Sequence, residues 1–315
     1  RQVLPRLHGA YAIAVVSTRE PGVVVGARKG SPMVMGLGDG EQYLASDIHA
    51  LLPVTRRFVY LAEGDIAEIR IDGTRVFDAE GREIVRPVKE AHFSADAVQR
   101  GEYRHYMLKE IHEQPAAIAD TLEGRLSGGH VLTQIFGPSA QDLLTRTQAV
   151  QIVACGSSYH AALVAKYWIE SLARIPAQVE IASEYRYRDF VVMPDTLLVS
   201  VSQAGETADT LAALKLAKGM GYLGTLAICN VPESSLVRES ELSLMTRAGP
   251  EIGVASTKAF VTQLTALLLF ALELGRHHGL SAQRYGDGVA QLEHLPSAVA
   301  AALALDPQIR QLAEF

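Results

Sequence analysis

The feature that most constrains the fold of this chain is an alternation of strand-like and helix-like segments that begins near residue 150. Five short apolar runs, each of strand length, follow one another at short intervals: QIVAC (151–155), QVEIA (178–182), TLLVSVS (196–202), GTLAICN (224–230) and LSLMTRA (242–248). Helical patterns such as YHAALVAKYWIESLA and TADTLAALKLAK lie between the early runs. This alternation predicts an α/β domain with a doubly wound, five-stranded parallel sheet and helices on both faces. Its crossovers should be right-handed.

The chain before this alternation has a different pattern, in which short apolar runs are separated by turn residues. GDGE (38–41) and IDGT (71–74) are typical hairpin turns, so residues 1–77 are predicted to form an antiparallel sheet. Residues 78–102 are polar, mixed in charge and without clear periodicity, which predicts a linker. The next run, YRHYMLKEIHEQPAAIADTL, predicts a helix that Pro115 breaks or kinks.

Charge and cysteine content exclude several classes of partner. The net charge of the 315 residues is −6, whereas nucleic acids and anionic membranes usually require a basic face. Cys155 and Cys229 show neither a disulfide framework nor zinc-ligand spacing. The longest apolar run (259–275) is short and polar for a membrane span, so it predicts a buried core helix. We therefore expect a cytoplasmic protein that binds neither nucleic acid nor a membrane and has no metal site.

Three strand-to-helix junctions carry small hydroxyl residues. The first junction is ACGSSYH (154–160), the second is SQAGET (202–207) and the third is EIGVASTKAF (251–260). In an open parallel sheet, ligands bind beyond the carboxyl ends of the strands, where helix N-termini present free N–H groups to an anion. The first two junctions therefore indicate a phosphate site, although serine and threonine are also the favoured N-caps of any helix.

Other residues near these junctions have simpler interpretations. Glu206 is expected to compensate a helix dipole, and Cys155 is expected to be a small core residue. The adjacent His277 and His278 are expected to lie on the surface. Lys258 could pair with phosphate or be a structural lysine, and the sequence leaves both interpretations open.

Long strings of the sequence resemble the glutamine–fructose-6-phosphate aminotransferase (isomerizing) family, the glucosamine-6-phosphate synthases. They are YRHYMLKEIHEQPAAI, ACGSSYHAA, VEIASEYRYR, SQAGETADTLAALKLAK, LAICNVPESSLVRES and GPEIGVASTKAFVTQL, with HGAYAIAVV, SPMVMGLGDGEQYLASD and LLPVTRRFVYLAEGDIAEI earlier in the chain. The resemblance implies that residues 1–77 are the C-terminal half of an antiparallel α+β glutaminase domain of the N-terminal-nucleophile type. Residues 103–280 would be the first sugar-isomerase domain, and residues 281–315 a connector toward a second one.

The resemblance also implies ligands and contact residues. Members of the family convert fructose 6-phosphate and glutamine to glucosamine 6-phosphate without a metal or an organic cofactor, and a homodimer is implied as well. The residues that match the family's phosphosugar contacts are Ser157, Ser158, Ser202, Gln203, Thr207, Val254 and Ser256. Ala204 stands where the family usually has serine, which removes one hydroxyl from the phosphate at a cost of about 0.5–1.5 kcal/mol.

The chain also departs from the family pattern. The family's nucleophile is an N-terminal cysteine, whereas residue 1 is Arg1, and the catalytic residues of the second sugar-isomerase domain have no counterpart. We therefore expect an internal fragment that binds fructose 6-phosphate or glucosamine 6-phosphate but has no catalytic residue, with glutamine bound only by a full-length parent. The remaining alternatives are a phosphosugar-sensing regulatory module and a sugar-phosphate deglycase or isomerase, neither of which is expected to carry a glutaminase half.

Overall fold

The computed structural model describes residues 2–90 and 100–314, and the chain separates into two compact units, Arg1–Gln99 and Arg100–Phe315. The described part of the first unit contains two antiparallel sheets, with the strand orders β1-β2-β6-β7-β8 and β4-β3-β5-β9. The strands are β1 (Tyr11–Val16), β2 (Val24–Lys29), β3 (Val34–Leu37), β4 (Gln42–Ala45), β5 (Arg57–Tyr60), β6 (Ile66–Arg70), β7 (Gly73–Phe77), β8 (Glu83–Ile84) and β9 (Val88–Glu90).

Both predicted hairpins are present and the strands are antiparallel as predicted, but they form two sheets rather than one. Residues 38–41 join β3 to β4, and residues 71–72 join β6 to β7. The two sheets pack together through buried residues from both, among them Met35, Val59 and Ile69. Turn chemistry specifies which consecutive strands form a hairpin, but the pairing of β2 with β6 depends on side chains far apart in sequence.

The structure also differs from the linker predicted over residues 78–102. Within that range, β8 pairs with β7 and β9 pairs with β5, so each of the two sheets gains an edge strand from it. Both strands are short and β9 is exposed. An exposed edge strand needs no apolar periodicity, which explains why the polar sequence concealed them. The remainder of the predicted linker includes residues 91–99, which lie outside the described residues.

The second unit is built on a five-stranded parallel sheet, as the sequence predicts. The strand order is β13-β12-β14-β15-β16, and every neighbouring pair is parallel. The elements are α1 (Tyr106–Leu122), β10 (Leu126–Ser127), β11 (His130–Val131), α2 (Ala140–Arg146), β12 (Ala149–Ala154), α3 (Gly156–Leu172), β13 (Ala177–Ile181), α4 (Ala182–Tyr185), β14 (Thr196–Ser202), α5 (Ala208–Ala217), β15 (Gly224–Cys229), α6 (Ser235–Glu239), β16 (Leu242–Met245), α7 (Lys258–His277), α8 (Ala282–Leu303) and α9 (Asp306–Ala313).

Helices cover both faces of this sheet. Successive residues of a strand point to opposite faces, so Ile152 packs in one core and Val153 in the other. The larger core contains residues of α1, α2, α3, α7 and α8, and the smaller one contains residues of α4, α5 and α6. The central strands β12 and β14 are buried along their whole length, as expected for a sheet covered on both sides.

Two helices of the second unit bear on the sequence predictions. Among the described residues, α7 is the one helix long and apolar enough to cross a membrane by length and composition, and 78% of its apolar window is buried inside the protein. The prediction of a buried core helix at 259–275 is therefore confirmed. Helix α1 continues without a break through Pro115. Its residues Ile118 and Leu122 are buried in the larger core, and this burial compensates the hydrogen bond that a proline removes.

The segment predicted as a connector, residues 281–315, begins as part of the second unit's core. Helix α8 packs against α1 and α7, and its residues Tyr285, Val289 and Leu292 are buried in the larger core. These three positions of α8 are spaced by four and then three residues, so they lie on one face of the helix. Helix α9, in contrast, has no buried residue.

Glu273 ties α7 to the start of α8. Its side chain is fully buried and accepts hydrogen bonds from Thr133 Oγ1 and from Arg276 Nη2, the latter at 2.7 Å. His277 Nε2 and the Tyr285 hydroxyl each lie 3.5 Å from the carboxylate. The Tyr285 hydroxyl also accepts the N–H of β11. The carboxylate is therefore the centre of a network that joins three elements.

The surface placement predicted for His277 is wrong, whereas His278 is half-buried. The His277 side chain is only 6% exposed, and its Nδ1 lies 3.1 Å from Thr145 Oγ1 of α2. Burial and the neighbouring Arg276 lower the pKa of His277, although Glu273 opposes them. The cover comes from a helix more than a hundred residues earlier in the chain, which no local pattern can reveal.

We expect Glu273→Gln to lower the free energy of unfolding by about 1.5–3 kcal/mol at pH 7, and by less at pH 4. Burial acts to raise the pKa of Glu273, but the hydrogen bonds from Arg276 and Thr133 outweigh it and lower the pKa below its ordinary value. Because the folded-state pKa is the lower one, the ionised carboxylate stabilises the fold at neutral pH. This contribution begins to decrease near the unfolded pKa of about 4.3 and is lost as the pH falls through the folded-state pKa. Urea unfolding of both proteins at the two pH values measures the change. An equal difference at both would contradict it.

Candidate functional site

The first junction leads from β12 into α3. Cys155 is the N-cap residue and is half-buried, and Gly156 opens the helix with a φ of +58°. A Cβ added at Gly156 would meet no atom within 4 Å, so open space lies in front of the helix. No side chain caps the first turn of α3, which leaves its N–H groups free for an anion. Ser157 is exposed in this turn, and Ser158 beside it is 7% exposed.

The second junction leads from β14 into α5, with Thr207 as the N-cap residue. Thr207 is exposed, and its side chain makes no capping hydrogen bond. Its Oγ1 lies 3.3 Å from Ser202 Oγ, on the other side of the same turn. Gln203 and Ala204, between them, are half-buried. The Thr207 hydroxyl is therefore at an open helix start rather than engaged in an ordinary cap.

Ser202 and Gly205 give the second junction its shape. Ser202 is 3% exposed, and its Oγ accepts the Gly205 N–H at 3.0 Å. Gly205 has a φ of +69°, and a Cβ added there would lie 2.2 Å from Ser234 Oγ and 2.7 Å from Cys229 Sγ. Ser202 thus has a turn-forming role that the sequence did not reveal, and its predicted contact with phosphate stays a prediction.

The first and second junctions lie side by side. β12 and β14 are adjacent parallel strands, and the winding of the sheet reverses between them, since β13 lies on one side of β12 and β14 to β16 continue on the other. Helices α3 and α5 consequently lie on opposite faces, and Thr210 Oγ1 of α5 is 4.0 Å from Cys155 Sγ at the start of α3. A crevice at such a switch point is where doubly wound sheets bind ligands.

The third junction is built differently, because an acidic side chain occupies its helix start. Glu251 Oε1 accepts the N–H groups of Thr257 and Ala259 at 2.8 and 3.1 Å. Its Oε2 accepts the Ser256 hydroxyl at 3.0 Å. Val254, at the tip, is fully exposed. The first turn of α7 is therefore already capped, and Ser256 is paired with a residue of its own junction.

A buried carboxylate clamps the third junction to α1. Glu110 is 2% exposed, and its Oε1 accepts the N–H groups of Ile252 and Gly253 at 2.6 and 3.0 Å. A Cβ added at Gly253 would lie 2.5 Å from Glu110 Oε2, so only glycine allows this approach. The junction that carries Val254 and Ser256 is consequently held in one position.

Contacts in the structure decide the roles of Lys258 and Glu206. Lys258 is 4% exposed and forms an ion pair of 2.6 Å with Glu113 of α1, so it is a structural lysine. Glu206 does compensate a helix dipole, but not that of α5, which follows it. Its Oε1 accepts the N–H of Ser235, the first residue of α6, at 2.7 Å. Helix dipoles attract any nearby carboxylate, whatever its distance in sequence.

Sequence reasoning missed Glu110, Glu251 and Asn230, which hold the junctions in place. Glu251 left a signal, because an acidic residue shortly before a helix is a capping candidate. Glu110 left none, since 142 residues separate it from its partner Ile252. Asn230 follows β15 directly and is 6% exposed, and a buried asparagine after a strand is a weak signal of a turn-bonding amide.

The crevice between the first two junctions offers helix N–H groups and hydroxyls. Such groups hold an anion without a lysine or arginine, which suits an acidic chain. Across residues 2–90 and 100–314, no group of three or more His, Cys, Asp and Glu side chains is placed to hold a metal ion.

Comparison with known families agrees with this fold. Residues 143–273 match the family model of the SIS domain, a span that runs from the end of α2 to the end of α7 and includes all five parallel strands. Residues 143–273 of the second unit are therefore similar to a SIS, or sugar-isomerase, domain.

Over its whole length the chain is similar to glutamine–fructose-6-phosphate aminotransferases (isomerizing). It is 58% identical over 316 residues to the enzyme of Pseudomonas putida and 54% identical over 320 residues to that of Pseudomonas aeruginosa; each match covers 100% of this chain and 52% of the relative. A solved structure, the C-terminal domain of glucosamine-fructose-6-phosphate aminotransferase from Francisella tularensis, matches with a TM-score of 0.67 and 49% identity over 69% of this chain and 61% of that one. The resemblance inferred from the sequence is confirmed. The chain spans about half the length of the curated relatives it matches.

Proposed function

We propose that this chain is part of a glutamine-dependent aminotransferase that makes glucosamine 6-phosphate from fructose 6-phosphate and glutamine. Its own contribution in this proposal is to bind the phosphosugar. The observation that carries the proposal is the pair of uncapped helix starts, α3 and α5, side by side at the switch point of the sheet. The whole-length similarity to aminotransferases of this name supports it.

The phosphate is bound in the crevice between the first and second junctions. The N–H groups of the first turns of α3 and α5 point at it, and both helix dipoles favour its negative charge. Ser157, Ser158 and Thr207 add hydroxyl donors, while Ser202 holds Thr207 in place. The phosphate needs no lysine in this arrangement. The carbon chain of the sugar extends from Gln203 of the second junction toward the third junction, where Val254 and Ser256 contact it.

The remaining features of the proposal concern the whole enzyme. The antiparallel unit corresponds to the C-terminal half of a glutaminase domain, which binds glutamine when complete. The enzyme acts in the cytoplasm, as a homodimer, and uses no metal or organic cofactor. Nucleic acids and membranes play no part in it.

Fructose 6-phosphate is expected to stabilise the second unit, and fructose is not. A ligand at a hundred times its dissociation constant adds about 2.7 kcal/mol to the folded state, which for a domain of this size corresponds to a rise in Tm of roughly 5–10 °C. A thermal scan of the 315-residue chain at rising concentrations of either sugar measures this. Equal shifts with the two sugars, or no shift with the sugar phosphate, would refute the proposal.

A further inference from the structure

Asn230 contacts both the second junction and the segment 246–249 that leads into the third junction. It directly follows β15, the strand next to β14 on the side of β16. It is 6% exposed, so its side chain is placed for contacts within the protein rather than with a ligand.

The backbone of Asn230 holds the second junction. Its N–H donates to the carbonyl oxygen of Gln203 at 3.1 Å. This bond does not involve the amide side chain, so a substitution at residue 230 leaves it in place. The same carbonyl lies 3.5 Å from Cys229 Sγ, and Gly205 O accepts the N–H of Leu236 at 3.0 Å. The second junction therefore has anchors on the β15–α6 segment that do not depend on the asparagine amide.

The side chain of Asn230 holds the backbone that enters the third junction. Its Oδ1 accepts the Ala248 N–H at 2.7 Å and the Thr246 hydroxyl at 3.1 Å. Its Nδ2 donates to the Gly249 carbonyl at 2.8 Å. The amide thus uses both its acceptor and its donor character on one short segment, which a carboxylate of the same shape cannot do.

We propose that Asn230 is a positioning residue that sets the distance between the phosphate crevice and the third junction, and so determines affinity for the sugar rather than for the phosphate alone. This inference rests on the proposed function. Glu110 fixes the third junction relative to α1. The Thr246 N–H, which donates to the Cys229 carbonyl at 2.8 Å, ties the start of the entering segment to β15, and the Asn230 amide ties Ala248 and Gly249, nearer the junction. Without the amide, residues 248 and 249 lose their link to β15, and the third junction shifts relative to the bound phosphate while it stays folded on α1.

Asn230→Asp is the sharpest test, because it keeps the shape of the side chain and replaces the Nδ2 donor by a carboxylate oxygen, which also brings a negative charge. The acceptor for Thr246 and Ala248 remains, whereas the second oxygen faces the Gly249 carbonyl and repels it. We expect the dissociation constant for fructose 6-phosphate to rise about tenfold. That for inorganic phosphate should stay within about twofold, since the second junction keeps its backbone anchor. Isothermal titration of the 315-residue chain with each compound gives both constants.

Thr225→Val is the matched control, because Thr225 lies at the opposite end of the same strand. It is 5% exposed, and its Oγ1 accepts the Glu241 N–H at 3.0 Å, so the variant loses a buried hydrogen bond away from the junctions. Both of its dissociation constants should stay within about twofold of the wild-type values. A general loss of stability would affect the two variants alike, so the ratio of the two constants distinguishes positioning from stability.

Each outcome decides the inference. If the wild-type chain binds neither compound, the proposed function fails, and this inference fails with it. If the wild-type chain binds fructose 6-phosphate but Asn230→Asp weakens the binding of both compounds equally, or of neither, the inference alone is wrong. If Asn230→Asp does not fold, Thr246→Val replaces it, because this variant removes one hydrogen bond to the same amide. We expect Thr246→Val to raise the dissociation constant for fructose 6-phosphate by a smaller factor and to leave that for inorganic phosphate unchanged. An unchanged dissociation constant for fructose 6-phosphate in that variant would overturn the inference.

Discussion

Thr207→Val is expected to raise the dissociation constant for fructose 6-phosphate by about ten- to a hundredfold. Valine keeps the shape of threonine and removes the hydroxyl donor, and a hydrogen bond to a charged group contributes roughly 1.5–3 kcal/mol, where about 1.4 kcal/mol is a factor of ten. Thr207 is exposed at the start of α5 and makes no capping hydrogen bond, so the variant should lose affinity with little loss of stability. Titration calorimetry and a thermal scan of the same sample separate the two effects.

Thr210→Val is the control for this prediction. Thr210 lies one turn further along α5, is 1% exposed, and its hydroxyl contacts only sulfur, at 4.0 Å from Cys155 Sγ. The same chemical change there should leave the affinity for fructose 6-phosphate within about twofold. If Thr207→Val leaves the dissociation constant for fructose 6-phosphate unchanged and lowers the Tm, Thr207 acts only as a helix cap.

Gly205→Ala is expected to destabilise the second unit by about 2–5 kcal/mol and to lower its Tm by roughly 5–15 °C. A φ of +69° costs an alanine about 1–2 kcal/mol. The added Cβ would also lie 2.2 Å from Ser234 Oγ and 2.6 Å from Ser234 Cβ, and such overpacking costs a further 1–3 kcal/mol or so. Because Gly205 closes the turn that holds Thr207, affinity for fructose 6-phosphate should fall in the same variant.

Gly156→Ala is the comparison that isolates the packing contribution. Its φ of +58° is similar, but an added Cβ meets nothing within 4 Å, so backbone strain alone applies. We expect Gly156→Ala to lower the free energy of unfolding by only about 1–2 kcal/mol. If chemical unfolding shows that both variants lose the same free energy of unfolding, the close approach of Gly205 to the β15–α6 segment does not constrain the turn at Gly205.

The local features of this chain could be predicted from its sequence because they depend on neighbours within a few residues. The five strands of the parallel sheet are apolar runs of a length and composition that no other element suits. GDGE and IDGT specify hairpins through the backbone preferences of glycine and aspartate. Ser157, Ser158 and Thr207 are recognisable because a hydroxyl directly after a strand and before a helix can serve only a few purposes.

The sequence could not predict how these segments are held together. Neither the division of the first unit into two sheets nor the strands hidden at 83–84 and 88–90 follows from a local pattern, because strand pairing joins residues distant along the chain. The role of Glu206 required knowing that α6 begins beside it.

The sequence by itself determined the five strands of the parallel sheet in the second unit and the places where hydroxyls meet helix starts. The tertiary structure alone decided which of those hydroxyls lie exposed at an uncapped helix start, as for Thr207, and which bond to the backbone or to an acidic side chain of their own junction, as for Ser202 and Ser256. It also decided that Glu110 and Asn230 align the junctions. Propensities and periodicities act over a few residues, whereas a buried hydrogen bond joins whichever groups folding brings within about 3 Å, and no spacing in the sequence records that distance.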